Sequence, residues 1–100
     1  MEGTVSIGNS QRELQEADPQ WIAEQLVRRR DAGEKVCVRV TISTANVSIT
    51  LTSADCPSGP PSGRKPNPEE AALFEAWRDF GLDGSDFPPG KLVAFLQRMF

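Results

Sequence analysis

The sequence predicts an α+β fold in which a three-stranded, mostly antiparallel sheet carries helices packed on one face. Two observations indicate this class. Both arms of the segment 36–53 alternate between apolar and polar side chains, as strands with one buried face do. Two other segments open with Asp18-Pro19 and Asn67-Pro68, which are helix start signals, and continue with apolar residues at helical spacing. The predicted order along the chain is β-α-β-β-α-α.

A β-hairpin over residues 36–53 is the strongest signal. A two-residue turn at Ala45-Asn46 pairs Ile42 with Ile49, whereas a four-residue loop over 43–46 pairs Ile42 with Val47. Both registers keep the apolar side chains on one face, so the sequence leaves them open. The other face carries polar side chains in either register, which is typical of a solvated face: Arg39, Thr41, Ser43, Ser48, Thr50 and Thr52.

The third strand is predicted at residues 4–7, where Val5 and Ile7 point the same way. An isolated hairpin is marginal in water, so the fold needs this neighbour. Residues 9–17 are polar apart from Leu14 and alanine, and we interpret them as a loop that holds a helical turn.

The first helix is predicted to begin after Asp18, with Pro19 at its first position, and to end before Gly33. Arginines at 28–30 close it, and cations at that end favour the helix dipole. These arginines could contact phosphate, but a balanced helix end is the simpler interpretation.

Two more helices are predicted near the C-terminus. Asn67 caps the first, with Glu70 placed for a capping box and Gly81 at the end. The second covers residues 91–99. We interpret the Phe, Trp and Leu stripes of both as core rather than as a partner groove. Between the hairpin and these helices, residues 54–66 are rich in Pro, Gly and Ser, which predicts a flexible loop inside a single domain of residues 1–100.

The composition argues against catalysis. The chain has no histidine and no tyrosine, which removes the commonest general base and metal ligand. Its two cysteines, Cys37 and Cys56, form no metal-binding motif. In the two-residue-turn register they would be diagonal neighbours, so a disulfide would need a distortion, and we expect them to be unpaired. No enzyme activity, cofactor or metal site is therefore predicted.

The charge argues against a dedicated nucleic-acid binder, because the formal net charge is −3. The N-terminus does not resemble a signal peptide, and no apolar run is long enough for a membrane span. With few cysteines, these features predict a cytoplasmic protein that has no membrane partner.

We therefore expect a protein-interaction or accessory module of a larger, bacterial-type system, which binds another protein. The expected contacts lie on and beside the predicted loop, at Arg39, Cys56, Arg64 and Lys65. Addition of a partner strand to an exposed edge of the sheet is a second route, since a three-stranded sheet leaves two edges. The alternative is a nucleic-acid-binding module that uses dispersed cations, namely Arg28, Arg29, Arg30, Arg39, Arg64 and Lys65.

Overall fold

The computed structural model describes residues 2–56, 65–85 and 87–99, and it is an α+β fold with a four-stranded antiparallel sheet. The strand order is β2-β1-β3-β4. The strands are β1 (Glu2–Ile7), β2 (Ser10–Glu13), β3 (Val38–Ser43) and β4 (Ser48–Thr52), and the helices are α1 (Pro19–Asp31), α2 (Pro68–Asp79) and α3 (Pro89–Met99). The antiparallel α+β class is confirmed, but the chain order is β-β-α-β-β-α-α.

The prediction of three strands is wrong, because residues 10–13 form a strand where we expected a loop with a helical turn. Gly8 adopts φ 60° and opens a tight turn that returns the chain along β1, pairing Ile7 with Ser10. The strand gives no alternation signal because all four of its side chains are polar. An edge strand tolerates this composition, and charged edges discourage pairing with other chains.

The β3–β4 hairpin adopts the two-residue-turn register, with Ile42 opposite Ile49. The Thr44 hydroxyl stabilises the turn in this register. Its Oγ1 accepts hydrogen bonds from the backbone N–H groups of Asn46 and Val47, while the Thr44 N–H donates to the Val47 carbonyl. The turn is thereby closed by one side chain that satisfies two backbone donors.

The predicted caps of the first two helices are confirmed, whereas the last helix begins at Pro89, two residues before its predicted start at Lys91. The Asp18 carboxylate accepts from the Trp21 N–H at 2.7 Å, and Asn67 and Glu70 form a complete capping box. Gly33 and Gly81 have φ of 80° and 74° just beyond α1 and α2. These left-handed positions suit glycine, because it has no Cβ.

One hydrophobic core joins the sheet to the helices. Val5, Val40 and Leu51 are direct cross-strand neighbours and are all buried. The aromatic side chains of the helices complete this core, and Trp77 and Phe95 pack edge-to-face at 5.3 Å between ring centroids. The interpretation of the apolar stripes of the two C-terminal helices as core is therefore confirmed for Leu73, Trp77, Leu92 and Phe95. Helix α1 adds Trp21, Ile22 and Leu26 to the same core.

The expectation of unpaired cysteines is wrong, because Cys37 and Cys56 form a disulfide with Cα atoms 4.4 Å apart. A tight turn makes the pairing possible. The Cys56 N–H donates to the Ser53 carbonyl, which folds the chain back instead of letting it continue as a strand. The predicted flexibility of the loop over 54–66 concerns mainly residues 57–64, which lie outside the described residues.

Candidate interaction surface

The polar face of the sheet is the surface formed by the side chains that alternate with the core residues. Arg39 lies toward one end of this face, with Ser6 opposite it on β1 and Thr52 opposite it on β4. The neighbouring row joins Thr4, Thr41 and Thr50 across the same three strands. The full set on the strands is Glu2, Thr4, Ser6, Gln11, Glu13, Arg39, Thr41, Ser43, Ser48, Thr50 and Thr52. This face offers hydroxyl donors and acceptors rather than apolar area.

Among the four predicted contacts, Arg39 is the one whose side chain belongs to the polar face of the sheet. Its side chain is half-buried on β3, and it makes no hydrogen bond or ion pair with the described residues. A guanidinium group offers five N–H donors, and it binds carboxylates in bidentate geometry. Arg39 can therefore recognise an acidic or carbonyl-bearing group on a partner.

Cys56 reaches this face only through its covalent partner. Its sulfur is bonded to Cys37, which precedes Arg39 by two residues and therefore points to the same side of the sheet. Cys56 itself is only 9% exposed. The structure thus brings the disulfide and Arg39 together at one end of the sheet.

Lys65 lies toward the other end of β4. The Asn67 side chain, two residues further along, donates to the Asn46 carbonyl at the hairpin turn, whereas Cys56 lies beyond the opposite end of the strand. Lys65 is exposed. Arg64 lies outside the described residues, and of the other three predicted contacts, Lys65 lies apart from Cys56 and Arg39.

Two of the three arginines at the end of α1 have structural partners, and Arg28 is exposed. Arg29 donates to the Ser10 hydroxyl at 2.9 Å and lies 3.9 Å from the Glu34 carboxylate. Arg30 donates to the Phe87 carbonyl and stacks over the Phe87 ring. These contacts tie α1 to β2 and to the start of α3, which supports the interpretation of a structural helix end over a phosphate site.

The groove between β4 and α2 is a feature that sequence reasoning missed. We assigned Glu70 to the helix cap and Trp77 to the core, but both also bind the backbone of β4. Glu70 Oε2 accepts from the Ser48 N–H at 2.9 Å, and Trp77 Nε1 donates to the Thr52 carbonyl at 3.0 Å. Nothing local in the sequence reports such long-range bonds, since they depend on how α2 docks.

The described residues hold no cluster of three or more His, Cys, Asp or Glu side chains that could bind a metal ion. In the same part of the chain, no helix is both long and apolar enough to span a membrane. Comparisons with protein-family models, with curated proteins and with solved structures found no match to this chain.

Proposed function

We propose that this chain is a non-catalytic interaction module that binds another protein through the polar face of the sheet. The observation that carries this proposal is Arg39, a half-buried cation that has no partner among the described residues. The proposed contacts are Arg39, Cys56, Arg64 and Lys65. The absence of histidine and tyrosine from the sequence supports a non-catalytic role.

The proposal requires that the helices lie on the apolar face and leave the polar face open. Two contacts of α1 support this arrangement. Ser10, which lies opposite Ile7, binds Gln25 and Arg29. Arg12, which lies opposite Val5 on the same side of the sheet, stacks over Trp21 at 5.1 Å.

The polar face is too small to form a stable interface by itself. Four strands about 4.8 Å apart and about five residues long cover roughly 300 Å² in projection. A stable interface buries about 800 Å² per partner. A lasting complex therefore needs further contacts, and the proposal assigns them to residues 57–65, which follow Cys56 in the sequence.

The test is capture of a partner from source lysate with the immobilised chain, followed by affinity measurement with the purified partner. We expect Arg39→Glu to weaken binding by about 10-fold or more, as loss of a charge-assisted hydrogen bond does. Deletion of residues 57–64 should also weaken binding. The matched control is Arg28→Glu, which reverses an exposed charge on α1 and should leave affinity unchanged.

Two results would contradict this proposal. Equal affinity of Arg39→Glu and the unaltered chain would remove the polar face from the interface. Recovery of nucleic acid that is lost at high salt and with Arg28→Glu would favour the phosphate-binding alternative.

A cytoplasmic location is part of the proposal, and the disulfide makes it testable. Disulfides are rare in proteins that stay in the reducing cytosol. Rapid alkylation of growing cells should therefore trap both cysteines as free thiols, with the disulfide forming only after oxidation. Complete oxidation in unstressed cells would instead place the protein in an oxidising compartment.

A further inference from the structure

The peptide groups of β4 divide into two sets. The Ser53 N–H donates to the Val38 carbonyl, and the Val47 carbonyl accepts from the Thr44 N–H, so these residues face β3. Antiparallel pairing alternates at every residue. The backbone groups of Ser48, Thr50 and Thr52 therefore point away from β3, toward the open edge of the sheet.

Helix α2 covers this edge at two points and leaves one residue between them. Glu70 binds the N–H of Ser48, and Trp77 binds the carbonyl of Thr52. The N–H and carbonyl of Thr50 lie between these two bonds and have no partner among the described residues. One strand residue thus presents a donor and an acceptor side by side.

A groove of about 200 Å³ lies beside the unpaired backbone groups of Thr50. The side chains of Phe74 and Trp77 supply apolar walls, and Arg78 and Asp83 add one positive and one negative charge. The volume is smaller than the pockets that hold drug-sized ligands. The opposite charges cancel, which favours a segment without net charge over a phosphate or a nucleic acid.

We propose that this groove binds a short, extended and uncharged peptide segment of a partner protein. One residue of the segment exchanges two hydrogen bonds with Thr50, as a paired strand residue does. Its two neighbours point toward α2, because side chains alternate along a strand. Apolar neighbours therefore pack against Phe74 and Trp77. The bonds made by Glu70 and Trp77 limit the pairing to about one residue, so the site selects a segment end or a sharply bent segment.

The β2 edge does not offer the same site. The register turns the backbone groups of Gln11 and Glu13 outward there, but the Glu13 carbonyl already accepts from the N–H groups of Glu16 and Ala17. The two side chains are exposed and polar. Hydrogen bonds without an adjacent apolar wall contribute little net affinity in water.

The test uses acetyl-Leu-Ala-Leu-amide as the probe and the full chain labelled with ¹⁵N. We expect saturable shifts of the Thr50 amide and the Trp77 indole N–H signals, with a Kd of about 1 mM for so small a ligand. The analogue with N-methylated alanine lacks the central donor. It should bind about 3- to 10-fold more weakly, because it loses the bond to the Thr50 carbonyl.

A pair of variants separates the groove from general apolar binding. Phe74→Ala should weaken binding of the probe several-fold, whereas Val27→Ala, which shortens an exposed apolar side chain on α1, should not. Equal binding of both probes would contradict hydrogen bonding to Thr50. Shifts that do not saturate, or that occur away from β4 and α2, would contradict the site. Both readouts are independent of the partner that binds the polar face.

Discussion

At the scale of single residues, Glu70 shows how one buried carboxylate joins two elements. The residue is fully buried. One oxygen accepts from the Asn67 N–H at the start of α2, and the other accepts from the Ser48 N–H on β4. A buried charge is tolerated only when it is hydrogen-bonded. The geometry therefore makes Glu70 a link that positions α2 along the sheet edge.

We expect Glu70→Gln to destabilise the fold by about 2 kcal/mol, because an amide retains one acceptor and loses a charge-assisted bond. Urea unfolding measures this change. Glu69→Gln is the matched control, since Glu69 is exposed, and it should change the free energy of unfolding by less than about 0.5 kcal/mol. Equal effects of the two substitutions would show that the contact with Ser48 contributes nothing.

At the scale of elements, the turn between β1 and β2 depends on Gly8. Its φ is 60°, and a Cβ at this position would lie 2.8 Å from a guanidinium nitrogen of Arg29. Arg29 holds that place through its bond to Ser10 on β2. The turn and the docking of α1 on β2 are therefore coupled through one side chain.

We expect Gly8→Ala to cost about 1 kcal/mol more than Gly33→Ala in urea unfolding. Both glycines have positive φ, which costs a residue with a Cβ about 1 kcal/mol. Only at Gly8 does the added methyl group displace Arg29, because the space around Gly33 is open. In an Arg29→Ala background, Gly8→Ala and Gly33→Ala should lower the free energy of unfolding by equal amounts. A larger loss for Gly8→Ala in that background would contradict the coupling.

The edge position of β4 gives a second prediction at this scale. Thr50→Pro should be tolerated better than Thr41→Pro by about 1–3 kcal/mol of unfolding free energy. The N–H of Thr50 faces the open edge, whereas the N–H of Thr41 pairs with β1 in the middle of the sheet. Thermal unfolding of the two variants measures the difference. Equal losses of unfolding free energy in the two variants would contradict the placement of the Thr50 N–H at the open edge.

At the scale of the whole molecule, the disulfide closes the segment from Cys37 to Cys56, which contains the entire hairpin. The cysteines are 19 positions apart, and closing a loop of this length stabilises a fold by about 3 kcal/mol in the chain-entropy account. The bond also anchors the chain beside Arg39, just before residues 57–64 begin. In the oxidised chain, one covalent bond therefore contributes to stability and lies beside the proposed binding surface.

We expect reduction by dithiothreitol to lower the free energy of unfolding by about 3 kcal/mol. The double variant Cys37→Ser, Cys56→Ser should be equally weakened, and its stability should not respond to the reductant. A reductant effect on that variant, or none on the unaltered chain, would contradict a stabilising disulfide.

The elements that the sequence predicted are those with local signals. The alternation of Val38, Val40 and Ile42 and the helix caps at Asp18 and Asn67 each act over a few residues, so they could be identified directly. The same alternation is sufficient to assign Arg39 to the polar face, because successive side chains of a strand point to opposite sides.

The missed features depend on contacts between distant residues. β2 is a polar edge strand without alternation, and it is held by β1 and by Arg29 of α1. The disulfide requires the turn that ends at Cys56. The groove at Thr50 exists only because α2 docks along β4, which no short stretch of sequence encodes.

The central claim is that the polar face of the sheet binds a partner protein. The most direct test is the change in the ¹⁵N amide spectrum of the intact chain when the captured partner is added. The proposal predicts that the largest changes lie on the polar face, at Arg39, Thr41 and their neighbours on β1 and β4. Changes confined to the exposed surfaces of α1 and α3, with the signals of Arg39 and Thr41 unmoved, would contradict it.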